Sequence, residues 1–103
     1  MSLEESLSRV VLRHEELASR LATEAGGGDE FVAMSREYSE LSPIVEAIGE
    51  LNAAQREAVE LGEMASGEDD PEMRQMAQAE RDELMARLPE LEHKVKLLLI
   101  PKD

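Results

Sequence analysis

Two histidines, one glycine run and many paired glutamates are the residues in this 103-residue chain whose types could do chemistry. An imidazole can hold a metal or carry a proton, but metal sites need several converging ligands. His14 and His93 have no ligand spacing to one another. His14 falls on an apolar stripe and is expected at the core edge; the sharper alternative is a hydrogen bond to Tyr38, which the stripes put near the same height. His93 stands in a basic last helical turn, where a cation suits the dipole. Gly26-Gly27-Gly28-Asp29 invites a phosphate-loop reading, but no strand precedes it and no Lys with Ser or Thr completes it. It reads as a turn. Glu4-Glu5 and Glu15-Glu16 offer carboxylate pairs, yet nothing marks a buried pair with pKa values pushed apart, so a solvated helix face is expected. There is no cysteine, hence no thiolate ligand, thiol nucleophile or disulfide. The chain is therefore expected not to be an enzyme, with no catalytic residue, cofactor or metal ligand.

Charge narrows the partners. With 24 acidic and 11 basic residues the chain carries −13. Nucleic-acid binding runs on Lys and Arg displacing counterions from phosphates, so bare DNA or RNA should repel this chain. Phe31 and Tyr38 are its only aromatics, too few for a base-stacking platform. If it works near RNA, a basic protein is the expected contact. No apolar run approaches the ~20 residues that span a bilayer. Glu4 and Glu5 stand where an export signal would be basic. A cytoplasmic chain without membrane contact is expected.

Three helical stripes position these residues. Ser2 with Glu5 reads as a capping box. The stripe Leu3, Leu7, Val10, His14, Leu17, Leu21 then follows the spacing of a helix packed along its length. The glycine run ends it, predicting a first helix over about 3–25. Asp29 reads as the cap of a second helix over 29–66, with the stripe Phe31, Met34, Tyr38, Leu41, Val45, Ile48, Leu51 and the weaker Ala54, Ala58, Leu61. Pro43 predicts a kink or short break. Asp70 as cap, Pro71 at the first helical position and Glu72 beside it open a third helix over 71–100. Its stripe is Met73, Ala77, Leu84, Leu88, Leu91, Val95, Leu98, with a kink expected near Pro89. The expected fold is all-α, a single domain over 1–103 built as an antiparallel three-helix bundle or coiled coil with a protruding helix 2–helix 3 hairpin.

Residues 52–85 of that hairpin carry ten acidic and three basic residues, so −7 of the −13 sits there. Glu57, Glu60, Glu63, Glu68, Asp69, Asp70 and Glu72 near its tip are candidate partner-binding residues for a basic protein surface. They serve equally as solvation and as caps of the third helix. Met64, Met73, Met76 and Met85 suit an adaptable binding surface, but core filling is the commoner use and the expectation here. At the other end, Leu97, Leu98, Leu99 and Ile100 are apolar on every helical face, which calls for burial all round. They read as a cut edge and a candidate interdomain contact: a further domain is expected to cover them, and alone they favour an adventitious homodimer.

These residues carry a family likeness. Phe31 to Ile48, FVAMSREYSELSPIVEAI, resembles the N-terminal domain of bacterial class I peptide chain release factors, and so does Asp69 to Glu80, DDPEMRQMAQAE. Arg13-His14-Glu15-Glu16 fits, and LLLIPKD, Leu97 to Asp103, looks like the junction with the next domain. The likeness runs along the whole chain and is nearest the type that reads UAA and UAG. It implies a helical ribosome-docking domain that lies toward the stalk base, is linked to the GTPase release factor, and works with the remaining domains of its own chain. The family's codon-reading tripeptide and its Gly-Gly-Gln motif, which promotes peptidyl-tRNA hydrolysis, are not in these 103 residues. Gly26-Gly27-Gly28-Asp29 is not that motif. Periodicity and charge alone support a second reading, a free-standing acidic coiled-coil adaptor between proteins.

Overall fold

Apolar side chains recurring every three or four residues are satisfied by helices, and the computed structural model, which describes residues 2–23 and 27–101, contains three. They are α1 (Leu3–Thr23), α2 (Asp29–Gly67) and α3 (Pro71–Leu98). No strand occurs among the described residues, so the fold is all-α. The expected end of helix 1 at 25, Gly26 of the glycine run, and Lys102 and Asp103 lie outside the described residues.

The ends follow the side chains. Ser2 Oγ accepts the Glu5 N–H at 3.1 Å, which is half of the capping box; the return bond from the Glu5 carboxylate does not form. The cap of α2 falls on Gly28 rather than Asp29, because the Gly28 carbonyl accepts the first helical N–H, from Val32, at 3.1 Å. Gly28 has φ +122°, a region that side chains with a Cβ rarely enter, and there lies the need for glycine. Asp29 becomes a first-turn acid, favourable to the dipole. Asp70 caps α3 as expected, its carboxylate accepting the Glu72 N–H at 3.0 Å. α3 stops at Leu98, two residues short of expectation, because Pro101 disfavours helical backbone at Ile100.

Both long helices run through their prolines without a break. Proline removes a bond to the carbonyl four residues back. Here those carbonyls belong to Ser39 and Met85, which are exposed, as are Pro43 and Pro89, so water can take the place of the missing N–H.

The chain divides into two compact units, Met1–Ile48 and Gly49–Asp103. In the first, α1 runs antiparallel to the opening half of α2: Arg20 pairs with Glu30 near the turn and Arg13 with Glu37 farther along. Leu17, Met34, Ala47 and Ile48 are buried. In the second, the closing half of α2 runs antiparallel to α3 as a hairpin. Ala54, Ala58, Leu61, Ala77 and Leu84 form its core, with Ala65, Leu88 and Leu91 against them. Three alanines in that core let the helices approach closely. Between Ala77 and Leu84 the α3 stripe skips a turn. Arg81 fills it, half-buried across Gly62, where an added Cβ would stand 3.2 Å from Arg81 Nε.

One core expectation is overturned. Met64, Met73, Met76 and Met85 are 42% to 58% exposed. The small residues that close the hairpin leave no volume for methionine between the helices. Met73 stands in the first turn of α3, at a height where α2 has already ended at Gly67.

Candidate functional site

α2 carries Glu57, Glu60 and Glu63, the turn carries Glu68, Asp69 and Asp70, and α3 opens with Glu72. The seven candidate acids fall into two groups. Asp70 is committed to the cap, and half-buried Glu68 accepts the Asp70 N–H through Oε1 at 3.3 Å, so these two shape the turn. Glu57, Glu60, Glu63, Asp69 and Glu72 are exposed, and none makes a salt bridge among the described residues. Ion pairs form elsewhere in the second unit, between Lys94 and Glu50 at 3.6 Å and between Lys96 and Glu92 at 3.0 Å. The end of the hairpin therefore presents unpaired negative charge while its opposite end holds the paired lysines.

The groups that sequence suggested for chemistry are structural. The His14 ring stacks on the Tyr38 ring, centroids 4.3 Å apart and planes at 14°. Its hydrogen bond goes to Ser42 rather than Tyr38: Nε2 lies 3.0 Å from Ser42 Oγ. Ser42 has one hydroxyl proton and donates it to the Tyr38 carbonyl at 2.8 Å. It must therefore accept from His14, which places a proton on Nε2. Beside it, Arg13 grips Glu37 with a forked pair, Nε to Oε2 at 2.7 Å and a terminal nitrogen to Oε1 at 2.9 Å, and also reaches Glu16 at 3.1 Å. The hydrogen bonds from Arg13 hold the Glu37 carboxyl below the ordinary 4.5, against a lesser opposing effect of desolvation. The same bonds raise Arg13. Sequence reasoning missed this pair because one partner is on each helix; an arginine and a glutamate flanking facing stripes were the available signal. Among the described residues no group of three or more His, Asp or Glu side chains could hold a metal ion. Among the described residues no helix is long and apolar enough to cross a membrane.

Leu97, Leu98, Leu99 and Ile100 stand at the end of α3. Leu99 is half-buried; Leu97 and Ile100 are exposed by 54% and 62%, and Leu98 is exposed as well.

Comparison with known proteins bears on the family likeness. Residues 10–103 match the family model of the PCRF domain. Over its full length the chain is 55% identical to peptide chain release factor 1 of Rhodospirillum rubrum, 45% to that of Acidiphilium cryptum and 43% to that of Gluconacetobacter diazotrophicus. It spans 28% of the length of each of these relatives. No solved structure matches it. The resemblance read from the residues thus holds along the whole chain, which belongs to the PCRF domain family and is of the release factor 1 type.

Proposed function

We propose that this chain is the ribosome-docking domain of a cytoplasmic peptide chain release factor, and that its acidic hairpin end makes the docking contact. The observation that carries this is the set of unpaired acids at that end, Glu57, Glu60, Glu63, Asp69 and Glu72, in a chain that matches release factors throughout. The fitting counterpart is a basic ribosomal protein surface near the stalk base, with the GTPase release factor as the second partner. Leu97, Leu98, Leu99 and Ile100 are the contact with the remaining domains of the full-length factor. The chain itself binds no nucleic acid directly and performs no catalysis: stop-codon reading and the promotion of peptidyl-tRNA hydrolysis belong to other domains. The free-standing adaptor explains charge and periodicity equally well, but not the match to release factors over all 103 residues.

Charge complementarity acts mainly on encounter and partner choice, and is screened over about 8 Å at physiological ionic strength. The test converts Glu57, Glu60 and Asp69 to lysine in the full-length factor. Asp70 and Glu68, which hold the turn, are left in place. Association with stop-codon ribosomes should slow roughly tenfold at low salt, and the deficit should shrink as salt is added. An unchanged association rate at every salt concentration would return the hairpin to a solvated spacer.

A further inference from the structure

The two long flanks of the hairpin differ in chemistry. Which α2 residues share a flank with which α3 residues is fixed by two contacts. Glu50 bridges to Lys94 on one flank. On the other, Val59, Gly62, Glu63, Gln78 and Arg81 line a single shallow groove. Stepping about 100° per residue from these anchors puts Met64 and Glu57 of α2 with Met73, Met76, Glu80 and Glu83 of α3 on the Glu50–Lys94 flank. Met85, Arg74 and Arg81 fall on the groove flank with Val59. One flank thus holds three methionines among carboxylates; on the other, Arg74 and Arg81 stand with the carboxylates of Glu63 and Asp82, so its charges balance.

Heights follow from the same contacts. Gly62 stands opposite Arg81 and Glu50 opposite Lys94, so Met64 lies near the height of Glu80, Met76 near that of Gly67, and Met73 just beyond. The three methionines are spread over about 10 Å along the hairpin at ~1.5 Å per residue. That is the length of an i to i+7 stripe on a partner helix. All three are exposed, and exposed apolar surface edged by charge marks an interaction site. Methionine adapts its shape to whatever apolar side chains it meets. The exposed carboxylates Glu57, Glu80 and Glu83 form the edges and set the sign of the partner. Arg87, near the height of Glu57, closes the acidic stretch at its lower end.

We infer that the Met64–Met73–Met76 flank is a docking surface for a basic amphipathic helix of a partner protein, its apolar stripe on the methionines and its lysines or arginines on Glu57, Glu80 and Glu83. The opposite flank does not take this partner, because Arg74 and Arg81 offset Glu63 and Asp82 there and leave no net negative charge to hold it. The inference goes beyond the ribosome-docking reading and does not depend on it, since it is tested without ribosomes.

The probe is a synthetic helical peptide of about 18 residues with leucines at i, i+3, i+4 and i+7 and lysines elsewhere. It is titrated into the 103-residue chain carrying labelled methionine methyl groups. The Met64, Met73 and Met76 methyl signals should shift on titration while that of Met85, on the other flank, stays in place. Met64→Ser with Met76→Ser should weaken binding roughly tenfold or more. Met85→Ser with Val59→Ser should leave it within about twofold, and circular dichroism checks that both pairs keep their helices. A lysine-only peptide of equal charge should bind roughly tenfold more weakly than the probe. Met85 shifting as much as the other three would overturn the inference. So would equal binding by the lysine-only peptide, which would leave an unspecific acidic cloud, or equal binding by a leucine–glutamate peptide, which would leave an unspecific apolar one.

Discussion

Arg13 holds Glu37 in a fork whose geometry fixes the facing of α1 and α2, and its pH dependence is a direct measure of that grip. Both side chains are about two-fifths exposed, so water screens the pair and its contribution is modest. The sign is nonetheless definite. Glu37 binds its proton less readily in the folded chain than at its ordinary 4.5. The stabilisation is therefore full above that value and is lost as pH falls through the lowered one. Urea unfolding from about pH 6 down to about pH 3 should show wild type more stable than Glu37→Gln at the upper end, with the difference shrinking on acidification. A difference constant across that range would mean that charge pairing is not what Glu37 contributes. Residue-scale detail was only partly legible in the sequence. Stripe spacing brought His14 to the height of Tyr38, and that holds. It pointed to Tyr38 as the hydrogen-bond partner, whereas the bond goes to Ser42, one turn further along α2. Spacing could not assign the four methionines, since apolar type says nothing about how much volume the alanines opposite have left.

Helices were the most legible level, because two of the three starts are written in side chains: Ser2 takes the Glu5 N–H and Asp70 takes the Glu72 N–H, whereas α2 is capped by the Gly28 backbone and not by Asp29. The glycines inside α2 were not legible, since a glycine there can mean close packing or nothing. The structure separates the two cases. A Cβ at Gly49 would meet no atom within 4 Å, whereas at Gly62 it would meet Arg81 Nε at 3.2 Å and Cδ at 3.6 Å. Glycine inside a helix is less stable than alanine by roughly 0.5–1 kcal/mol. Gly49→Ala should therefore raise stability by about that amount. Gly62→Ala should gain less, because the Arg81 side chain must shift by a few tenths of an ångström, though as a flexible chain it can. Chemical denaturation of both variants checks this. Equal gains would show that Arg81 does not rest on Gly62, and the skipped turn in the α3 stripe would then have no packing partner.

For the whole chain, −13 and an apolar end pull in opposite directions, and salt tells them apart. Two copies brought together repel through their net charge, while Leu97 and Ile100, more than half exposed, gain by being covered. Added salt screens the repulsion and leaves the apolar contact intact. Self-association of the 103-residue chain should therefore strengthen with salt, opposite in sign to docking on a basic surface, which salt weakens. Sedimentation velocity across a salt series reads this directly. Leu97→Ser with Ile100→Ser should abolish the salt-promoted species and leave helical content nearly unchanged, because α3 ends at Leu98 and buried Val95 stays in place. Leu98 and Leu99 are the poorer targets, since both are less exposed than Leu97 and Ile100. If the double variant unfolds, these side chains belong to the fold's own core rather than to an uncovered surface. If wild type stays monomeric at every salt concentration, the leucines do not drive association, and charge alone governs how the chain meets other molecules.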